Sequence, residues 1–433
     1  MRGAVRVFKR DHVVVAVLIC TAALARLAWA LHATRPVTAL GDPAIYGYLA
    51  DRIVRGHGYT YVDGVATAYY PPGYPFALAG LQWLLERLGA DVSRHVRMTL
   101  LNFVPSVLTV GLTWAIARRL LDRTTAVVAA GIVAIWPNLV FFVAIGFTET
   151  LFVFLAMAAL WSVTAVPWTP EALTSRRLMA FGALVAVAAL VRPLTLPFLV
   201  LLPVALRAGG LPWRSCLWKA GCAASAAAVV LAPWAIRNTL AFDSPVLVST
   251  NLGENLCIGR NPNAYGGYNL PAACTTGAEE REAENDRNDT IAAVKYAVRH
   301  PFTEARLAYR RAYYTYRDDH DGLTDTAGYL VASGPGHRTY RYVLAHLADV
   351  FAWGVVALGL LALPRALRRF GRGDPRQAFL FMVAVWLALT PIVFFGQPRL
   401  KIPVAPLWAM GAAATLVAVV RARADRGAAR PAP

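Results

Sequence analysis

The chain has 433 residues, enough for two or three soluble domains, yet 57% are hydrophobic, only 16% are charged and the mean hydropathy is +0.47. That composition excludes a soluble enzyme, a collagen and a disordered tail, and describes an all-α polytopic membrane protein. The formal charge of +18 does not signal nucleic-acid binding: segments 1–11, 117–125, 167–177, 207–219, 364–376 and 421–433 hold 21 of the 43 Lys and Arg residues against five acids, and all six fall on one side once the apolar runs between them are paired as crossings, as the positive-inside rule requires.

The first apolar run, Val13 to Leu31, leads into His32, Thr34 and Arg35 without a small-residue cleavage site, so it reads as a retained span rather than a signal peptide. Ten spans are expected, at 12–32, 95–118, 125–145, 147–166, 178–192, 194–207, 219–236, 347–364, 377–396 and 402–420, to be compared with the ~20 residues that cross a ~30 Å hydrocarbon layer. The fifth and sixth are short and flanked by proline, which fits tilted or shallow helices. Tyr74 to Leu88 is short and carries Glu86 and Arg87. Counting it as a span would put most Arg-rich segments outside, so it is expected to be a juxtamembrane helix on the outer face.

Both termini then lie in the cytoplasm. The chain divides into a first span (1–32), an outer loop (33–94), spans two to seven (95–236), a large outer loop (237–346) and three final spans with a cytoplasmic tail (347–433). The large loop has 12 basic and 13 acidic residues and two expected helices, 278–299 and 303–316. Loops this large exceed what connection needs, so function is expected on the extracytoplasmic side. Neither a repeat of 20–50 residues nor a matched pair of broken spans is visible, which argues against a secondary transporter.

Several residues could carry chemistry, and each has a plainer reading. Asp42-Pro43 has the form of a helix start, Asp42 capping and Pro43 in the first turn; a carboxylate at the outer end of the first span could equally take a proton from an attacking hydroxyl. Tyr46 follows one turn later. The Tyr69-Tyr70-Pro71-Pro72-Gly73-Tyr74-Pro75 turn is either an interfacial anchor or a substrate contact. Glu149, at the start of the fourth span, is costly at membrane depth; it is either held by Thr148 or partnered with Asp42. Arg192, Arg237, Arg399 and Lys401 sit at outer span boundaries, where each could snorkel to lipid head groups or, together, hold a phosphate. Arg26 lies deeper in the first span as a snorkelling or helix-pairing residue. The acidic run Glu279, Glu280, Glu282, Glu284 and Asp286 reads as a solvated helix face, and His57, His300, His320 and His337 as surface residues. Cys257 and Cys274 are either a disulfide or two buried thiols; Cys20, Cys216 and Cys222 read as packing residues. No Cys/His spacing matches a structural zinc site.

The Asp-led helix from Gly41 to Ala50, Gly56-His57-Gly58-Tyr59, the Tyr70 to Pro75 turn, Thr148-Glu149, Leu190-Val191-Arg192-Pro193, Pro233-Trp234-Ala235-Ile236-Arg237-Asn238, Asn261-Pro262 with Gly266-Gly267, and Arg399 to Pro406 together resemble the GT-C glycosyltransferases. The likeness is strongest to bacterial members of the dolichyl-phosphate-mannose protein mannosyltransferase and aminoarabinose transferase group, family 39. It implies a GT-C-type bundle in a bacterial plasma membrane and an inverting transfer of a sugar from a polyprenyl-phosphate donor to a hydroxyl acceptor outside. Asp42 would be the general base and Glu149 its helper; Arg192, Arg399 and Lys401 would bind the donor phosphate; Tyr46, Tyr70, Tyr74 and Arg237 would line the pocket. Pro43 stands where the protein mannosyltransferases often carry a second acid. No cofactor is certain, and a divalent metal ion on Asp42 and Glu149 stays open. The competing classes are a transporter or flippase of lipid-linked sugars and a non-catalytic membrane subunit.

Overall fold

The computed structural model describes residues 2–33, 41–169, 171–270, 274, 281–327, 335–370 and 372–428. Most of these are helical. Each of the ten expected runs is a helix or a bent helical pair. They begin with α1 (Arg2–Ala33), followed outside the bundle by α2 (Asp42–Val54), a hairpin of β1 (Thr60–Val62) and β2 (Val65–Ala66), and α3 (Gly73–Arg87). α3, at 15 residues, is not among the helices long and apolar enough to cross a bilayer.

α4 (Arg94–Leu120) returns through the bundle. The next run departs from the expected straight span 125–145. It breaks at Trp136 into α5 (Arg123–Ile135) and α6 (Pro137–Phe141), which with a following turn of 3₁₀ helix are bent by 55°. Pro137 cannot donate a backbone N–H, so the last carbonyls of α5 lose helical partners. Arg26 supplies them. It is 1% exposed and donates to Ala134 O (2.8 Å), Val133 O (3.2 Å) and Ser106 Oγ (2.5 Å). Of its two expected roles, helix pairing is the one seen. In hydrocarbon, where no water can satisfy a freed carbonyl, this explains a buried arginine on the first span.

α7 (Glu149–Thr164), α8 (Ser175–Val191), α9 (Phe198–Ala208) and α10 (Trp213–Phe242) complete the first half. In the large loop α11 (Leu252–Gly259) packs on α12 (Glu282–Arg299), and α13 (Pro301–Tyr316) and α14 (Asp321–Ala327) follow. α12 and α13 match the two expected helices, Ala278 to Glu280 lying outside the described residues. α15 (Pro335–Arg369), α16 (Pro375–Val393), a 3₁₀ turn (Pro398–Val404) and α17 (Ala405–Ala428) close the chain. Among the described residues six helices satisfy the length and composition of a span, seven with the bent pair, and α7 and α9 are shorter apolar helices. The core is built from small, β-branched and aromatic residues of α4, α5, α7, α8, α16 and α17, among them Ala129, Val133, Phe152, Phe181, Phe379 and Ala413.

The acidic run is not a solvated face throughout. Glu282 turns inward, accepting from Ala68 N (2.8 Å), Thr67 Oγ1 (2.8 Å) and Thr250 Oγ1, and Asp286 accepts from Gly253 N (2.5 Å). Glu284 is exposed; Glu279 and Glu280 lie outside the described residues. Cys257 and Cys274 are joined as a disulfide between α11 and the segment before α12. Cys216 is buried and Cys20 exposed.

Candidate functional site

Asp42 is the first residue of α2, and the N-cap is Gly41 rather than Asp42. Gly41 has φ +100°, a conformation glycine reaches without strain, and its carbonyl accepts from Ala44 N and Ile45 N. The Asp42 carboxylate makes no capping bond to its own helix. It points across the fold, accepting from Tyr70 Oη (2.9 Å) and from Arg399 Nη1 (2.8 Å). The capping expectation is thus corrected. A residue placed to cap its helix has been turned to a partner 357 positions away.

Tyr70 is delivered by the Pro-Pro-Gly turn. A Cβ on Gly73 would come within 2.8 Å of the Leu190 carbonyl, so glycine allows the start of α3 to touch the end of α8. Tyr46 is buried edge-on against Tyr70, ring centroids 5.0 Å apart, and also packs on Tyr74. Tyr74 is fully buried with its hydroxyl toward Asn102 Oδ1 (3.4 Å). It supports the aromatic wall from behind rather than reaching the Asp42 carboxylate.

Glu149 is fully buried at the first turn of α7. Both expected partnerships concern it only in part. Thr148 Oγ1 lies at 3.5 Å, while its main partner is Arg192, whose guanidinium hydrogen-bonds Glu149 and also donates to Thr148 Oγ1 (3.2 Å). Arg399 reaches the same carboxylate with Nε at 4.0 Å, lies over the Phe147 ring at 4.7 Å and donates to Gln397 Oε1 (3.1 Å). Arg399 therefore stands between Asp42 and Glu149. Burial opposes ionisation of Asp42, but the charge and hydrogen bond of Arg399 and the bond from Tyr70 outweigh it and hold the carboxyl below its usual range. Burial and the charge on Asp42 keep Tyr70 protonated, as a donor.

Two expected members are elsewhere. Lys401 is 4% exposed and turns away from Arg399: Nζ pairs with Asp319 Oδ1 (2.9 Å) and donates to Thr315 O (3.1 Å) and Asp318 O. Asp319 also accepts from Trp136 Nε1 (2.6 Å) at the break between α5 and α6. Arg237 does not reach the Asp42 cluster either. It donates to Tyr59 O (2.7 Å) and Thr67 O (2.7 Å), while Tyr59 Oη donates to Tyr70 O (2.9 Å), so Arg237 braces the hairpin that carries Tyr70. The late glycines have a similar role: Gly396 N donates to Gly266 O (2.8 Å), tying the large loop to the segment that holds Arg399.

Three neighbours were not anticipated. Asp325 on α14 interacts electrostatically with Arg399, Glu149 and Asp42. Glu254 on α11 accepts from Tyr69 Oη and feels the charge of Asp42; Tyr268 interacts with Asp42 and Arg399. All three belong to the large loop, and no local motif marks them. His320, expected as an isolated surface residue, bonds Asp349 Oδ1 through Nδ1 (2.9 Å). The His337 side chain lies outside the described residues.

For a divalent cation the fit is poor at this place. Among the described residues no group of three or more His, Cys, Asp or Glu side chains is arranged to hold one, and the two carboxylates that could have shared an ion share a guanidinium instead. An apolar cavity of about 370 Å³ lies apart from the cluster, lined by Leu120, Phe370, Leu380, Ala384, Trp408 and Met410.

A family model described as dolichyl-phosphate-mannose-protein mannosyltransferase matches residues 71–236, a stretch that contains Glu149 and Arg192 but neither Asp42 nor Arg399. No curated protein matches the chain. Among solved structures it is similar to the oligosaccharyltransferase AglB of Archaeoglobus fulgidus in complex with an inhibitory peptide and a dolichol-phosphate, at 16% identity and TM-score 0.53, over 97% of this chain and 52% of that one. The same archaeal enzyme with Zn and sulfate gives 16% identity and TM-score 0.53, over 94% and 50%. ArnT from Cupriavidus metallidurans bound to undecaprenyl phosphate aligns at 13% identity and TM-score 0.42, over 94% and 78%. The chain spans about half the length of the archaeal enzyme. Its fold is similar to that of the archaeal membrane enzyme AglB.

Proposed function

We propose that this GT-C chain transfers a sugar, with inversion, from a polyprenyl-phosphate donor to a hydroxyl acceptor on the extracytoplasmic face of a bacterial plasma membrane. The observation that carries the reading is the Asp42 carboxylate, released from its own helix and held against Arg399 beside the Arg192–Glu149 pair. The resident carboxylates occupy Arg399 and Arg192 until an anion arrives. The phosphate of a polyprenyl-phosphate sugar competes for both guanidinium groups, and as Arg399 turns to it Asp42 loses the partner that suppresses its basicity. Asp42 then takes the acceptor's proton as the acceptor oxygen bonds to the anomeric carbon. The bond from that carbon to the phosphate oxygen breaks, and its electron pair leaves on polyprenyl phosphate, steadied by Arg192 and Arg399. Tyr70 keeps Asp42 oriented; Glu149 keeps Arg192 in place. The buried Lys401 acts at one remove, by anchoring the approach to α14.

Incubating the purified chain with radiolabelled polyprenyl-phosphate sugars tests this, with and without chelator. Consumption of donor is expected in both conditions. Donor that crosses the bilayer unconsumed would instead support a flippase, and inertness in both assays would leave a structural subunit.

A further inference from the structure

The β1–β2 hairpin brings the chain only part of the way to Tyr70. Its ladder pairs Thr60 with Ala66 and Val62 with Val65, and Thr67 N donates to Tyr59 O (3.3 Å). Over the next residues the large loop takes the place of a neighbouring strand. Glu282, in the first turn of α12, accepts from Ala68 N through Oε1 (2.8 Å) and from Thr67 Oγ1 through Oε2 (2.8 Å), and Thr67 Oγ1 accepts in turn from Tyr69 N (3.1 Å). Thr250 completes the seam, its N–H donating to Ala68 O (3.0 Å) and its hydroxyl to Glu282. The three residues before Tyr70 are thus tied, directly or through Thr67, to one carboxylate, and bonds to an ionised acceptor are stronger than neutral ones.

The support behind that carboxylate is close-packed. Gly253 N donates to Asp286 Oδ1 (2.5 Å), and a Cβ on Gly253 would come within 2.1 Å of Asp286 O, so glycine lets α11 lie against the backbone of α12. Glu254, one residue on, accepts from Tyr69 Oη. The Tyr69 ring meets Tyr70 edge-on at 4.8 Å, and the Tyr70 hydroxyl donates to Asp42 Oδ1 (2.9 Å). That hydroxyl stands at the far end of a rigid ring, so a small tilt of the backbone at Tyr70 is magnified at Asp42, where hydrogen bonding falls off steeply with distance and angle. We propose that Glu282 is a positioning residue: by holding Thr67 and Ala68 it fixes the approach of the Tyr70 hydroxyl to Asp42 and couples the large loop to the base. The inference rests on the transferase reading above and deepens it. Glu282 itself touches neither donor nor acceptor.

The test uses full-length protein in nanodiscs, radiolabelled undecaprenyl phosphate bearing mannose, glucose or arabinose, and the variants Glu282→Ala, Glu282→Gln, Tyr70→Phe and Glu282→Ala with Tyr70→Phe. Glu282→Ala should lower the rate at saturating donor about 10- to 10²-fold, the cost of misplacement by up to roughly 1 Å, and leave the affinity for bare undecaprenyl phosphate unchanged. The Tyr70 bond helps to hold the Asp42 carboxyl below its usual range, so the acid limb of the rate should move to higher pH in Glu282→Ala, as in Tyr70→Phe. The double variant should be no slower than Tyr70→Phe alone, since both changes remove one interaction. Glu282→Gln keeps an oxygen for Ala68 N and should fall between wild type and Glu282→Ala; it takes over each comparison if the alanine variant does not fold. Additive losses, or an acid limb that moves in Tyr70→Phe but not in the Glu282 variants, overturn the proposal. A readout free of catalysis separates it from the transferase reading. The fluorine resonance of 3-fluorotyrosine in place of Tyr70 should shift in Asp42→Asn and in the Glu282 variants. A resonance that the Glu282 variants leave in place overturns the proposal, whereas one that shifts in a protein that consumes no donor upholds the coupling and removes the transferase reading.

Discussion

At the scale of single residues, the site turns on which partner a carboxylate chooses. In Asp42→Asn the amide can still accept from Tyr70, but no charge remains for Arg399 and no base for the acceptor. Transfer should fall by about 10²–10⁴-fold in single-turnover assays, while the donor binds at least as tightly, its phosphate having lost a competitor for Arg399. Weakened donor binding with intact chemistry would reassign Asp42 from base to phosphate support. The sign of the pH effect follows from the depressed Asp42 pKa. Stability from the Asp42–Arg399 pair is fully present above 3.8 and is lost as pH falls through the lower folded value. The excess melting temperature of wild type over Asp42→Asn should therefore hold from neutrality to about pH 4 and shrink below it. Asp325 runs the other way. Its folded value of about 6 exceeds the ordinary 3.8, so its ionised form destabilises the fold, and Asp325→Asn should melt higher than wild type at pH 7, with the gain fading between about pH 6 and 4. A melting advantage that does not vary with pH would remove the electrostatic account of that residue.

At the scale of elements, the sequence marks which segments reach the site but not which way they face. The Tyr70 to Pro75 turn, Thr148-Glu149 and Arg192-Pro193 were legible because each stands where an apolar helix begins or ends. Arg399 and Lys401 looked alike for the same reason. They occupy a 3₁₀ turn (Pro398–Val404), and with three residues per turn positions two apart point about 240° away from each other, so one reaches Asp42 and the other Asp319. Arg237 was misread by a related step: position at the end of a span was visible, but the carbonyls of a hairpin 170 and 178 residues earlier were not. Asp325 and Glu254 left no trace at all, because α14 and α11 are placed by long-range contacts such as the Gly322–Asn138 bond. Gly73 gives the sharpest test at this level. Gly73→Val places branched carbon where the Leu190 backbone lies, separating the Tyr70 turn from Arg192. Transfer should drop by about 10²-fold, the usual cost of roughly 1 Å of misplacement, with helical content unchanged by circular dichroism. Normal turnover would mean that the contact of α3 with α8 does not set the site.

At the scale of the whole molecule, apolar runs carried most of the helices into view, since their length and composition are dictated by the bilayer rather than by side-chain detail. The break between α5 and α6 was hidden inside an unbroken apolar run; only Pro137 hinted at it, and Arg26, which makes it tolerable in hydrocarbon, is 111 residues upstream. The orientation of the bundle decides whether the Asp42 cluster faces the compartment where the proposed acceptor waits. Sidedness can be measured without any assumption about catalysis. Gly64 sits at the tip of the β1–β2 hairpin, where an added Cβ would meet nothing within 4 Å, and Asp425 lies on the exposed end of α17. With the three free cysteines replaced, Gly64→Cys should react with a membrane-impermeant maleimide on intact spheroplasts, and Asp425→Cys only after the membrane is opened. The hairpin is joined to Tyr70 through the Tyr59 hydroxyl bond, so its sidedness is that of Asp42. Labelling of Gly64→Cys that requires an opened membrane would place the cluster in the cytoplasm, with the basic segments outside against the positive-inside rule, and transfer to an external acceptor would have to be abandoned whatever the assays of Asp42 showed.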